Sequence, residues 1–200
     1  MPLEMADDFF TVANEPVQTE LKIKGSRFIA GIFHASSQAK AEVLYNETKK
    51  KYYNASHNCY AYRIRNDLFR YSDDGEPSGT AGLPILKKID SHRLFEVLLI
   101  VTRYFGGTKL GMGGLSRAYS DAAKSVLDSA SIIKKTIHKQ LRLQFSYNSL
   151  PEIQDIITKY KGIIDQSDYS DKIELICRIP VRYINNFQKE ILHKIEITEL

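Results

Sequence analysis

The 200-residue sequence has no tryptophan, only two cysteines and a formal net charge of only +4. Cys59 and Cys177 lie far apart and fit no metal-binding spacing, so we expect free thiols in a reducing compartment. No apolar run approaches the roughly 20 residues that a membrane-spanning helix needs. The start of the chain is acidic and lacks the basic residues of a signal peptide. We therefore expect a cytoplasmic protein with no membrane partner.

The small net charge excludes a strong bulk attraction to nucleic acid, but the charge is unevenly distributed. In residues 139–200, nine Lys and Arg balance nine Asp and Glu, so all of the positive excess lies in residues 1–138. The hydrophobic pattern also changes near this boundary, at a polar and basic connector in residues 131–139. The connector is itself a candidate for extended structure. We predict two domains, residues 1–135 and 136–200, in an α+β fold.

A glycine-rich stretch at residues 103–117 is the feature around which the first domain is organised. A continuous apolar run at 94–101 precedes it and predicts a strand buried on both faces. Apolar residues at helical spacing from 115 to 130 follow it and predict an amphipathic helix. Five of the chain's eleven glycines lie in the stretch: Gly106, Gly107, Gly111, Gly113 and Gly114.

The residue types in this stretch predict a site for an anion, most simply a phosphate. Glycines let the backbone approach another group closely, and the first-turn amides of a helix carry the positive end of its dipole. Arg103, Lys109 and Arg117 add three cations. The alternative interpretation is a tight turn with a purely structural role. A glycine-rich loop by itself favours the turn, and the clustered cations make the two interpretations about equally probable.

A second stretch, at residues 72–82, places the carboxylates Asp73, Asp74 and Glu76 before several hydroxyls and glycines. Such clusters hold Mg²⁺ together with a phosphate-bearing ligand in some proteins. They also occur as Asp-Gly turns, which the residues alone favour. A helix is predicted over 80–90, with Ser78 or Thr80 as its cap. His57 is a candidate general base, although a hydrogen-bonded structural histidine is the more common case.

Alternating and helical patterns predict the remaining elements. Residues 1–15 carry no clear pattern. In the first domain we predict a hairpin at 17–24 and 27–34, a helix to about 52 capped by Ser36 or Ser37, and strands at 57–64 and 68–71. The second domain has the order βαββαβ of a ferredoxin-like unit, with its last helix at 181–193 and its last strand at 194–199.

The acidic stretch, with Pro84 after it, and the glycine-rich stretch together resemble the signatures of the IMPACT/YigZ family. Ser26, Arg27 and Phe28, and His57 with Cys59, resemble two further positions of that family. The resemblance covers about residues 17–130, and the last sixty residues resemble the ferredoxin-like extension of its bacterial members. The resemblance is specific to this family because the motifs are long and occur in the same order as in the family.

The resemblance implies a fold that periodicity does not predict. The first domain would belong to a βαβ superfamily with a left-handed crossover that includes domain IV of elongation factor G, whereas right-handed crossovers are the general rule. The second domain would resemble domain V of elongation factor G. Such a pair suggests contact with the ribosome or another RNA. Eukaryotic members regulate translation through a protein partner, but they lack this second domain, so that partner is not implied here.

Two functions of different classes remain open. The first is a non-catalytic, translation-associated binder that contacts RNA or the ribosome through the glycine-rich stretch and neighbouring cations such as Arg27 and Arg63, without a cofactor. A protein partner is a further alternative. The second is an enzyme acting on a phosphorylated substrate, in which Asp73, Asp74 and Glu76 hold Mg²⁺ and His57 is the base. Convergence of the two stretches in space would favour the enzyme, and carboxylates that cap turns and helices would favour the binder.

Overall fold

A computed structural model of the chain describes residues 7–65, 67–192 and 196–199, without the side chain of Glu196. The contacts between residues divide the chain into two compact units, with the sequence boundary between Lys135 and Thr136. The fold is α+β, and each unit has its own sheet and its own buried core. No helix in the described parts of the chain combines the length and apolar character needed to cross a bilayer.

Within its described residues, 7–65 and 67–135, the first unit contains seven strands and three helices. In chain order they are β1 (Asp8–Val12), β2 (Val17–Ile23), β3 (Ser26–His34), α1 (Gln38–Lys51), β4 (His57–Arg63), β5 (Phe69–Ser72), α2 (Gly82–Ser91), β6 (Val97–Tyr104), α3 (Gly111–Ser129) and β7 (Ile132–Thr136), whose last residue crosses the boundary.

Five of these strands form one sheet in the order β2-β3-β6-β4-β5. The central strand β6 is antiparallel to β3 on one side and to β4 on the other, so β3 and β4 run parallel to each other with α1 connecting them. Seven of the eight residues of β6 are buried, as the continuous apolar run predicts. Helix α1 covers one face, where Ala41 packs near Leu98 and Ile100. Helices α2 and α3 cover the other face.

This topology gathers the predicted site residues at one end of the sheet. Because β6 is antiparallel to both neighbours, its last residues lie beside the first residues of β3 and β4. Arg103 is opposite Phe28 on β3 and opposite His57 on β4. Helices α2 and α3 both begin at this end, which follows from the direction of the strands that precede them. We call it the loop end of the domain.

Two boundaries differ from the prediction in a way that matters for the site. The central strand continues to Tyr104 rather than ending near residue 101, because Thr102 and Arg103 are also paired on both sides. Helix α3 begins at Gly111 rather than at 115. The loop between them therefore contains only residues 105–110, and three of the five glycines lie in the first turn of the helix.

The start of the chain is also more ordered than its sequence indicates. Residues 8–12 form β1, which pairs with β7 in a two-stranded sheet, and Phe9 and Val12 are buried. The connector at 131–139 is therefore largely extended. A five-residue strand whose partner lies more than 100 residues away gives no hairpin signal, which is why the pattern did not reveal it.

The second unit confirms the predicted βαββαβ order. Its elements are β8 (His138–Phe145), α4 (Leu150–Lys159), β9 (Ile163–Tyr169), β10 (Ile173–Pro180), α5 (Ile184–Ile191) and β11 (Glu196–Glu199). The sheet is antiparallel in the order β11-β8-β10-β9, which is the ferredoxin-like arrangement. Ile153, Ile156 and Ile157 of α4 are buried, as their helical spacing predicts. The predicted end of the last helix and start of the last strand, at 193 and 194, lie outside the described residues.

Candidate functional site

The loop at residues 105–110 is held by hydrogen bonds from its backbone and by close contact with a neighbouring turn. The Phe105 N–H donates to Ser56 Oγ (3.1 Å), and the Gly106 N–H donates to Ser26 Oγ (3.2 Å). A Cβ atom on Gly106 would lie 1.8 Å from the carbonyl carbon of Gly25, in the turn between β2 and β3. Only glycine permits this approach, so the loop and the hairpin turn pack backbone against backbone.

Arg103, which the sequence predicts to contact phosphate, is buried in the structure, with 4% of its surface exposed. Its guanidinium donates to Glu76 Oε1 (2.6 Å) and to Ser26 Oγ (3.2 Å). It also lies over the rings of Phe28 and Phe105, 5.5 Å from each ring centre. Its position on a strand rather than in the loop directs this cation inward, where Glu76 neutralises it.

Glu76 connects the two predicted stretches inside the protein. Besides accepting from Arg103, its Oε1 accepts from the Tyr119 hydroxyl of α3 (2.9 Å). The Cys59 thiol lies 3.3 Å from that hydroxyl and 3.0 Å from the Asp73 carbonyl oxygen. The two stretches thus converge in space, but they do so through a buried ion pair and its hydrogen bonds rather than around an open cavity.

Burial determines the protonation of this network. Removal from water raises the pKa of the Cys59 thiol and of the Tyr119 hydroxyl well above their usual ranges. Both groups therefore keep their protons at neutral pH. A protonated, buried thiol is a poor nucleophile, so Cys59 is not an activated catalytic cysteine.

Asp73 caps the turn and the helix that follow it. Its carboxylate accepts from the backbone N–H groups of Gly79, Ala81 and Gly82 at 2.8–2.9 Å. These donors belong to the start of α2, where no side chain of the N-cap residue forms a capping bond. The predicted caps Ser78 and Thr80 do not serve this purpose, since Thr80 Oγ1 donates instead to the Pro77 carbonyl (2.6 Å). The Asp73 carboxylate, which precedes Ala81 by eight residues, caps these amides instead.

Asp74 and His57 are likewise occupied by nearby groups. The Asp74 carboxylate accepts from the Asn58 N–H (2.7 Å) and from Lys49 Nζ (3.4 Å). His57 Nδ1 lies 2.8 Å from the Asp74 carbonyl oxygen, which fixes a proton on that nitrogen, and its Nε2 lies 3.9 Å from Glu76 Oε1. Residues 7–65, 67–192 and 196–199 contain no group of three His, Cys, Asp or Glu side chains placed to hold a metal ion.

Arg63, also predicted to contact phosphate, lies at the far end of the domain. It is opposite Val97, the first residue of β6, whereas His57 at the other end of β4 is opposite Arg103. Six residues of strand separate the two ends by about 20 Å. Arg63 is 6% exposed and forms a two-pronged ion pair with Asp90 (2.6 and 3.1 Å). The structure therefore separates Arg63 from the loop.

Four of the exposed cations among the described residues lie in the loop or on elements that begin or turn beside it. Lys109 lies in it, Arg117 on the second turn of α3, and Arg27 on β3 with its guanidinium 5.3 Å from the Tyr104 ring centre. Lys24 is the fourth, because the contact between Gly25 and Gly106 brings the β2–β3 turn against the loop. Lys24 was not among the residues predicted from the sequence. Phe105, in the same loop as Lys109, is half exposed. We call Lys24, Arg27, Phe105, Lys109 and Arg117 the loop surface.

The charges of the loop surface are largely without internal partners. Arg27 pairs with the exposed Glu20 (3.0 Å). Among the described residues, no carboxylate forms an ion pair with Lys24, Lys109 or Arg117. The first turn of α3, which holds Gly111, Gly113 and Gly114, has neither an acidic residue nor a side-chain cap. The surface thus offers positive charge and unsatisfied amides to solvent, with Gly107 in the exposed part of the loop.

Comparison with known proteins agrees with this architecture. A family model described as the Impact N-terminal domain matches residues 24–127, and a domain of unknown function (DUF1949) matches residues 143–192. The Bacillus subtilis protein "IMPACT family member YvyE" is 34% identical over 187 residues, covering 92% of this chain and 86% of the relative. "IMPACT family member YigZ" of Escherichia coli is 31% identical over 180 residues, covering 88% of each. A crystal structure described as that of a hypothetical protein covers 98% of both chains with a TM-score of 0.71 and 28% identity.

Proposed function

The chain belongs to the IMPACT family, and we propose that it is a non-catalytic, translation-associated protein that contacts RNA or the ribosome through its loop surface. The observation that carries the proposal is that Lys24, Lys109 and Arg117 are exposed at the loop end and have no carboxylate partner among the residues that the structure describes. Exposed cations grouped in this way are suited to phosphate groups, which position a protein on nucleic acid without reading its sequence.

The rigidity of the loop supports the same proposal. Residues 105 and 106 are hydrogen-bonded through their backbone amides, and Gly106 packs against Gly25. Lys24, which precedes Gly25, and Lys109, which follows Gly106 in the loop, therefore lie next to a well-anchored backbone contact. A surface that is ordered before binding loses less conformational entropy when it binds, so a small number of phosphate contacts gives a larger net affinity.

The alternative, a metal-dependent enzyme acting on a phosphorylated substrate, has little support in the geometry. Asp73 and Asp74 are committed to backbone amides, and Glu76 is paired with Arg103. Metal binding by these carboxylates would require breaking the bonds that hold the start of α2 and the central ion pair. His57 lies near Glu76, and the thiol of Cys59 on the same strand is buried, which raises its pKa and keeps it protonated.

A binding measurement with a charge-matched control tests the proposal. The double variant Lys109→Ala/Arg117→Ala is compared with the natural chain for binding to ribosomes and to short RNAs, at low and moderate salt, with and without Mg²⁺. We expect weaker binding and a shallower salt dependence, by roughly 0.7 in the slope for each lost contact to a single strand. The control Lys40→Ala/Lys124→Ala removes the same charge from exposed positions away from the loop end.

Equal losses in the two double variants would show that binding follows net charge and does not involve the loop surface. Absence of binding to ribosomes and to every RNA would overturn the proposed function as a whole. In that case turnover of phosphorylated small molecules, with Mg²⁺ present, becomes the measurement of choice.

A further inference from the structure

We propose that Phe105 is a stacking platform for an unpaired nucleobase, so that the loop surface binds single-stranded rather than duplex RNA. This inference rests on the proposed function, because it specifies the ligand of the same surface. Its starting point is an exposed apolar ring in a loop that also carries a cation. Phe105 is 50% exposed although the domain has a large apolar core available to it, and the exposed Lys109 lies in the same loop.

The ring is supported from behind. The guanidinium of Arg103 lies over one face of Phe105, 5.5 Å from the ring centre. That guanidinium is itself fixed by Glu76 and Ser26 and lies over Phe28 at the same distance. One face of Phe105 is thus covered by a buried guanidinium that two hydrogen bonds hold in place, which leaves the other face for a ligand.

The backbone that carries the ring is equally constrained. The amide of Phe105 is bonded to Ser56, and the amide of Gly106 is bonded to Ser26. An exposed phenylalanine on a mobile loop would lose much of its binding energy in becoming ordered, whereas this one is already ordered. The buried Arg103–Glu76 pair therefore acts as a positioning element for the surface rather than as a ligand contact.

The surrounding charge selects the class of ligand. A base stacked on an aromatic ring contributes to affinity whatever its identity, because every base has a π-face. We expect the phosphates next to the stacked base to contact exposed cations of the loop surface. Among the described residues, Lys24, Lys109 and Arg117 have no carboxylate partner. In a duplex the bases are paired and stacked on each other, so a ring at the surface reaches them only where a strand is unpaired.

The absence of tryptophan provides a direct reporter. In the variant Phe105→Trp the only indole of the protein would lie at the proposed platform. We expect its fluorescence to be quenched by a short unpaired RNA, but not by an oligomer of the same length that has phosphates and sugars without bases. We also expect Phe105→Leu, which keeps an apolar side chain and removes the ring, to lower the affinity for unpaired RNA by about fivefold or more.

Phe69 supplies a matched control. It is 44% exposed, lies on β5 at the far end of the same domain, and carries the guanidinium of Arg63 over its ring at 4.7 Å. Phe69→Leu therefore removes an exposed ring backed by a buried arginine, but away from the loop surface. It should leave RNA affinity unchanged. Denaturant unfolding of both leucine variants shows whether each is as stable as the natural chain.

The outcomes separate this inference from the proposed function. If Phe105→Leu binds unpaired RNA as tightly as the natural chain while Lys109→Ala/Arg117→Ala does not, the surface binds phosphate only and stacking is refuted. If Phe105→Leu loses affinity for ribosomes but not for free RNA, the ring contacts a protein, and the inference is again wrong. If no RNA or ribosome binds under any condition, the proposed function fails and this inference fails with it.

Discussion

The acidic stretch and the glycine-rich loop meet at the same end of one domain, yet they use their charges in opposite ways. Asp73, Asp74 and Glu76 each accept hydrogen bonds from groups within the domain. Lys109 and Arg117 face solvent. Residue types that suggest catalysis or binding in a sequence can instead form hydrogen bonds and ion pairs that stabilise the fold. Only the partners of each side chain in the structure distinguish a functional role from a structural one. We infer that the acidic stretch stabilises the structure around the loop, and that the exposed cations near the loop are the ones available to a ligand.

The largest effect is expected where the loop backbone meets the hairpin turn. In Gly106→Ala the new methyl group would overlap the Gly25 backbone, so we expect a loss of more than about 3 kcal/mol in the free energy of unfolding, or failure to fold. Denaturant unfolding measures this. The control Gly107→Ala has a φ of 82° but no heavy atom within 4 Å of the added carbon, so only backbone strain of roughly 1 kcal/mol applies. Similar losses in both variants would show that the two turns do not pack as described.

The second largest effect concerns the ion pair that joins the two stretches. Glu76→Gln leaves the buried Arg103 guanidinium without its counter-charge, which should cost about 3 kcal/mol in the free energy of unfolding. The control Asp128→Asn breaks the exposed pair of Asp128 with Lys124 on α3 and should cause no measurable change. A small effect of Glu76→Gln would mean that the carboxylate is available for other chemistry, and the enzyme alternative would gain.

A smaller effect is expected at the capping carboxylate. Asp73→Ala removes the acceptor for three backbone amides at the start of α2, so we expect a loss of about 1–2 kcal/mol in the free energy of unfolding. Ser78→Ala, at the cap position that the sequence suggested, should change stability little because Ser78 is exposed and forms no capping bond to α2. Equal stability of Asp73→Ala and the natural chain would contradict the structural assignment of Asp73.

The smallest effect on stability should come from the loop surface itself. Lys109→Ala and Arg117→Ala remove exposed side chains that have no ion-pair partner among the described residues, so each should change the free energy of unfolding by less than about 0.5 kcal/mol. Thermal unfolding at low and high salt measures this. A pronounced loss in either variant would place that side chain within the structural network and remove the contrast between the two stretches.

Much of the fold could be predicted because its elements have local signals. The alternation at 17–24 and 27–34 gave the hairpin, and Ser37 caps α1, as one of the two proposed serines. The βαββαβ order of the second domain followed from short, regular patterns. Strand β1 was missed because its partner β7 is remote in sequence, and the end of β6 was placed too early because Thr102 and Arg103 are polar although both are buried.

The surroundings of the residues proposed for the candidate site could be predicted only in part. The residue types around the loop indicated an anion site, and Lys109 and Arg117 are exposed there. The sequence held no signal that Arg103 points into the core or that Arg63 lies at the opposite end of β4, since both depend on strand register. Lys24 entered the surface only through the contact of two glycines 81 residues apart, which no local pattern encodes.

The central place of β6 in the sheet has a consequence for how the domain is completed during synthesis. Its neighbours β3 and β4 are made first, and their pairing with β6 joins residues up to 77 positions apart, as between Arg27 and Tyr104. Until residue 104 has been made, only the hairpins β2–β3 and β4–β5 can form, and isolated hairpins are marginally stable. We therefore expect the nascent chain to expose two apolar strand edges until β6 has been made, and the domain to fold more slowly than one built from local contacts.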